Sequence, residues 1–167
     1  MTTANITNTA IGSESRNTKL GNEGSLAMQF GKGHGYLKQF MSRVQLRVVL
    51  DACFGEEKKF FIEKVVELGA LIDSMPKTYE QDGAGDDAIV SLHYFNGSSD
   101  WYITEKDRDG GTRQAFGFVV MNGQKDSAEL GYVSIAELVS YGVELDLHFT
   151  PCKLSEVKAK RGICAMA

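Results

Sequence analysis

Apolar residues along this chain keep one rhythm in the first half and another in the second. From Tyr36 they recur at helical spacing, as Leu37, Phe40, Val44 and Leu50, with Ser42 placed to cap a second segment. After Gly55 comes EEKKFFIEKVVELGALIDSM. There Phe60, Phe61, Val65, Leu68, Leu71 and Ile72 trace one stripe, interrupted by Lys64, and Pro76 ends the helix. Glu56 and Glu57 fall in its first turn, where the helix dipole favours anions. Ahead of these helices, residues 1–25 are dominated by Thr, Asn, Ser and Gly with little to bury, and a flexible arm is expected. The segment FGKGHGYLKQF holds three glycines in five residues. It lacks the preceding strand and the G-K-[ST] of a phosphate loop, so it reads as a flexible lead-in to a helix.

Beyond Ala88 the period becomes two. AIVSLHYF, DWYITE, RQAFGFVVM, ELGYVS and LDLHF read as short strands divided by Asn-Gly, Gly-Gly and similar turns. KTYEQDGAGDD, residues 77–87, is an acidic linker before them. Between the last two strands, SIAELVSYG reads as a two-turn helix: Ser134 caps it, Glu137 completes a capping box, and Gly142 ends it. Helices first and antiparallel strands after predict an α+β fold. A single domain over 26–167, helical at 36–75 and mainly β at 88–151, packs its N-terminal helices on one face of a C-terminal antiparallel sheet.

The most legible local signal is a hairpin. With Asn96 to Ser99 as its loop, Phe95 pairs with Asp100, Tyr94 with Trp101, His93 with Tyr102 and Leu92 with Ile103. Val90, Leu92, Tyr94, Trp101 and Ile103 then share an apolar face, and Ser91, His93, Tyr102 and Thr104 the other. Trp101 and Tyr132 are assigned to the core. Along the last strand Leu145, Leu147 and Phe149 point one way, Asp146 and His148 the other. If that strand lies beside the hairpin, His93, Tyr102, Asp146 and His148 converge on a polar face able to bind a metal or move a proton. The competing expectation is a face left to water, as in many antiparallel sheets, and no H-x-x-x-H or H-x-E pattern supports metal chemistry.

Composition narrows the classes. With 43% hydrophobic and 24% charged residues the chain reads as one ordinary soluble domain. A net charge of −4 argues against direct nucleic-acid binding. No apolar run approaches a membrane span and no signal segment is recognised, so a cytoplasmic protein with reduced thiols is expected, with no membrane partner. Of the three cysteines, Cys53 and Cys152 read as inert apolar residues and Cys164 as exposed. Glu105, Asp107, Asp109 and Gly110 imitate the start of a calcium loop, but its twelfth position is Phe116, so a solvated turn is expected. No nucleophile motif is present, and neither a cofactor nor a metal is expected.

Charge is unevenly spread: Glu67 to Asp109 holds ten acidic and three basic residues, Lys153 to Arg161 four basic and one acidic. An acidic surface can imitate a phosphate backbone and occupy a nucleic-acid channel. Its candidate members are Glu80, Asp82, Asp86, Asp87, Glu105, Asp107 and Asp109. The opposing expectation is a solvated loop and a frayed basic tail.

DWYITEKD at 100–107, AFGFVV at 115–120, ELGYVSIAELV at 129–139 and ELDLHFTP at 144–151 occur in the order of a recurrent pattern. Over residues 88–151 the chain resembles a family of small proteins of unknown biochemical function carried by plasmids, integrative elements and phages. That family has no agreed catalytic residues, so the resemblance implies a setting more than a mechanism. Small proteins of mobile elements often disarm host defences, and the setting implies a stoichiometric inhibitor, of anti-CRISPR or anti-restriction type, bound to a host nuclease or ribonucleoprotein surveillance complex. The rivals are an enzyme using the His93, Tyr102, Asp146 and His148 face, and a non-catalytic plasmid-maintenance scaffold.

Overall fold

A computed structural model describes residues 14–163. Its first helix, α1 (Glu14–Phe40), begins inside the stretch expected to be a flexible arm, so residues from Glu14 onward are helical; residues 1–13 and Cys164 lie outside the described part. The three-glycine segment is helix interior rather than a lead-in. Ser42 caps α2 (Arg43–Ala52), its hydroxyl accepting from the Gln45 N–H at 3.2 Å. Helix α3 (Lys58–Ser74) stops before Pro76, and Val65, Leu68 and Ile72 form its buried stripe. Val44 and Phe60, assigned to that apolar pattern, are exposed. Among the described residues no helix is long and apolar enough to cross a membrane.

Among the described residues seven strands follow: β1 (Ile89–Val90), β2 (Leu92–Asn96), β3 (Ser99–Glu105), β4 (Ala115–Val120), β5 (Glu129–Val133), β6 (Glu144–Leu145) and β7 (Cys152–Lys153). Five make an antiparallel sheet in the order β5-β4-β3-β2-β6, and β1 pairs separately with β7. The hairpin register is the expected one, with Leu92 opposite Ile103, His93 opposite Tyr102, Tyr94 opposite Trp101 and Phe95 opposite Asp100. One further pair, Asn96 with Ser99, leaves a two-residue turn at Gly97-Ser98, where Gly97 takes φ 58°. Ser134 caps α4 (Ile135–Ser140), and Gly142 leaves it at φ 74°.

Leu92, Tyr94, Ile103 and Leu145 face the helices and join Leu37, Phe40, Val65 and Ile72 in the main core. The α+β layering therefore holds. Tyr94 is fully buried, and its hydroxyl donates to the Phe40 carbonyl at 2.6 Å, tying the sheet to the end of α1. Burial holds the Tyr94 phenol far above its ordinary range. Above pH about 10 the unfolded chain releases this proton while the folded chain keeps it, so stability falls with rising pH by roughly 1.4 kcal/mol per unit. Tyr94→Phe should therefore lose about 1 kcal/mol at pH 7 yet decline less steeply in alkali than wild type. Thermal melts between pH 7 and pH 11 check this; parallel declines would refute it.

The opposite face is not left to water. Helix α5 (Leu154–Arg161) lies over it, burying Leu154 and Val157 with Val90, Tyr102, Phe118 and Val120 in a second core. The basic tail is thus a docked helix, ended by Gly162 at φ 64°. Val90 belongs to this second core rather than to the hairpin's helix-facing side. The expected strand 145–149 is also corrected. It pairs only at Glu144 and Leu145, then turns, sending Leu147 to the first core and Phe149 to the second.

Candidate functional site

Three of the four residues expected on the polar face come together. The His93 ring stacks on Tyr102 with centroids 4.5 Å apart and planes 7° from parallel. Its Nδ1 lies 3.1 Å from Asp146 Oδ2 and its Nε2 lies 2.9 Å from Asp100 Oδ1. Each ring nitrogen thus faces a carboxylate oxygen, and a doubly protonated ring donates to both. Arg161 completes the group from α5: its Nε donates to the Tyr102 hydroxyl at 2.8 Å and its guanidinium pairs with Asp100. Burial raises the Tyr102 phenol, with the Arg161 bond opposing it.

His148 does not join them. It is exposed and stacks near Phe60 of α3, at 6.1 Å, because the chain has left the sheet by then. Asp100 and Arg161 were the members missed. Asp100 sits on the opposite side of the predicted Phe95 pair and could have been counted with His93 as a near-diagonal neighbour. Arg161 carries no local signal, since the basic run from Lys153 to Arg161 predicts a frayed tail as readily as a helix. Around His93 both ring nitrogens are engaged, Asp100 is 4% exposed and Tyr102 5%. What the cluster does with this geometry is clamp α5 to the sheet.

The acidic candidates also separate. Glu105 is buried, and β3 carries a bulge between Ile103 and Glu105 against β4. One extra residue, Thr104, reverses the alternation and swings Glu105 onto the face of its partner Phe116. There its carboxylate accepts the backbone N–H groups of Tyr79 and Gln81. Asp86 pairs with Lys158 at 2.5 Å and Asp87 with Lys153 at 2.9 Å, so the basic helix neutralises part of the acidic run. Asp107 accepts from the Asp109 and Gln114 N–H groups and shapes a turn. Glu80, Asp82 and Asp109 stay exposed.

Residues 77–87 are not a free linker. Lys77 bridges Lys106, Thr78 Oγ1 donates to the carbonyls of Lys106 and Gln114 at 2.9 Å, and the Gln81 amide bonds Ile89 and Thr104. This strapped loop walls an open cavity of about 480 Å³ against β3, β4 and β5. Phe116, Leu130 and Tyr132 form its apolar side, and Asp82 and Glu105 its acidic one. Across the mouth the hydroxyls of Tyr79 and Tyr132 are 2.9 Å apart, a bond that raises the Tyr132 phenol. Tyr79 holds φ 80°, a conformation costly for a bulky residue. Tyr132, assigned to the core, is 55% exposed, whereas Trp101 does pack against the first core.

The thiols are quiet: burial raises both Cys53 and Cys152. Among the described residues no group of three or more His, Cys, Asp or Glu is arranged to hold a metal ion. No family model, curated protein or solved structure matches the chain.

Proposed function

We propose that this protein works by occupying a partner's surface, as a stoichiometric inhibitor of a nuclease or surveillance complex in a host defence system of CRISPR or restriction type. The saturation of His93 carries the binding half of this reading. The side chain best suited to proton transfer spends both nitrogens on neighbouring carboxylates beneath α5, while the accessible aromatic and acidic groups gather around an open cleft. The defence half rests on the ordered motifs between residues 100 and 151 and their resemblance to proteins of mobile elements.

The acidic contribution is narrower than the sequence suggested. Asp82 and Glu80 on the cleft loop stay exposed to a basic partner surface, Glu80 while accepting the Lys77 N–H at 2.9 Å, whereas Asp86 and Asp87 are paired with lysines and Glu105 is buried. Purified protein should block target-DNA binding or cleavage by its host complex at a ratio near one to one. Glu80→Lys combined with Asp82→Lys should weaken the block, and raising the salt should narrow the difference from wild type. Phage restriction that proceeds unchanged when the protein is expressed in hosts carrying CRISPR and restriction systems would sink the reading.

A further inference from the structure

The two edges of the five-stranded sheet are finished differently. On the β6 edge only Glu144 and Leu145 pair, and the Gln45 side chain closes the outer backbone of Leu145 by donating to its carbonyl at 2.7 Å and accepting its N–H at 3.0 Å. The β5 edge runs five residues, Glu129-Leu130-Gly131-Tyr132-Val133, paired in regular register with β4 on one side. Among the described residues no strand pairs with its other side. Natural sheets blunt such edges with lysine, proline, a bulge or a covering element. Here β5 has no proline and no register shift, and its one charge, Glu129, stands at its first position.

A hollow flanks this edge on each face. One is the cleft beside Leu130 and Tyr132; the other, about 290 Å³, lies between β5 and α4 and is lined by Trp101, Gly131, Glu137 and Leu138 among others. Successive side chains of a strand point to opposite faces, so a strand added at β5 would send alternate residues into the two hollows. Their charged lining has one sign. Asp82 borders the first, where Glu105 is buried and held by the Tyr79 and Gln81 N–H groups, Glu129 and Glu137 border the second, and no Lys, Arg or His lines either. A second copy of this chain would bring these acidic flanks together and is disfavoured.

We infer that the outer edge of β5 is a docking strand for an extended, basic segment of a partner protein, which adds a sixth strand to the sheet. The inference deepens the inhibitor reading and rests on its first half, that the chain is a binding protein. Main-chain bonds along β5 supply affinity, the aromatic cleft takes an apolar or β-branched residue, and the acidic rims select lysine or arginine.

A displayed library of random peptides about six residues long tests this on the full chain. Wild type should enrich peptides that alternate Lys or Arg with β-branched or aromatic residues. Adding a synthetic winner should slow amide exchange within residues 129–133 on the order of tenfold, with β6 unchanged. Leu130→Lys with Tyr132→Lys, both at exposed positions, should abolish this binding. Should that pair fail to fold, Gly131→Lys, where an added side chain meets open space, replaces it. No enrichment, enrichment of acidic peptides, protection elsewhere, binding that survives the lysines, or self-association through β5 would each overturn the inference. Both readings separate in the same variants. Peptide binding without any effect of the wild type on restriction removes the inhibitor and keeps the docking strand. Inhibition that survives the β5 lysines does the reverse.

Discussion

Replacing Gly33 with valine should prise α1 from α3, cost about 3 kcal/mol, and lower the melting temperature by roughly 6–12 °C. A Cβ at Gly33 would stand 2.4 Å from the Val65 carbonyl oxygen, and one at Gly69 would stand 2.3 Å from the Gly33 Cα. Both obstacles are backbone, so no rotamer change relieves them. The helices must separate, and separation loosens Leu37 and Phe40 from Val65, Leu68 and Ile72 in the main core. Helix propensity points the other way, since any ordinary residue beats glycine by up to about 1 kcal/mol in a helix interior. Gly31 and Gly35 reveal that opposite effect. Nothing lies within 4 Å of a Cβ at either, so Gly31→Ala and Gly35→Ala should each stabilise by about 0.5–1 kcal/mol. Urea and thermal melts of the three variants would therefore show two signs within five residues. Equal melts for Gly33→Val and wild type would mean that the crossing lies elsewhere.

Glycines 31, 33 and 35 also show where reading the sequence stops. Three glycines in five residues announce weak helix propensity and so predict a flexible lead-in. That Gly33 is the contact point of two helices depends on Gly69, thirty-six positions away, and no local pattern pairs them. The hairpin was legible because its register is a local matter: two alternating runs and a turn agree on one pairing. The Ser42 and Ser134 caps were legible for the same reason, each acting within three residues. The fate of the polar face was not. Whether His93 and Tyr102 meet water depends on α5, which returns some sixty residues later and declares itself only by Leu154, Val157 and the Gly162 stop. Glu105 reads in the sequence as part of a solvated turn, but β3 runs through it and its carboxylate is covered by the 77–81 segment, whose return no local pattern announces. Local chemistry could be read, and long-range covering could not.

Asp100→Ala should cost about 3–5 kcal/mol, the second large effect, because Asp100 is the hub of the covered polar face. Its side chain is 6% exposed and accepts from both His93 and Arg161. Truncation leaves the Arg161 guanidinium on α5 and one His93 nitrogen without a carboxylate, in a place water reaches poorly. Arg161→Ala should cost less, since Asp100 keeps His93 and the lost cation was 35% exposed. The double variant should lose clearly less than the sum of the single losses, as two members of one network do. Urea melts decide the cycle, and loss of slow amide exchange in α5 ahead of the hairpin locates the damage. Peptide binding at β5, on the sheet's far edge, should persist in Asp100→Ala wherever the variant is folded. That combination, stability lost and binding kept, separates a clamp from a site. An Asp100→Ala protein that melts with the wild type would mean that Leu154, Val157 and the lysine pairs with Asp86 and Asp87 hold α5 without it, and the carboxylates around His93 would then need a chemical reason to be there.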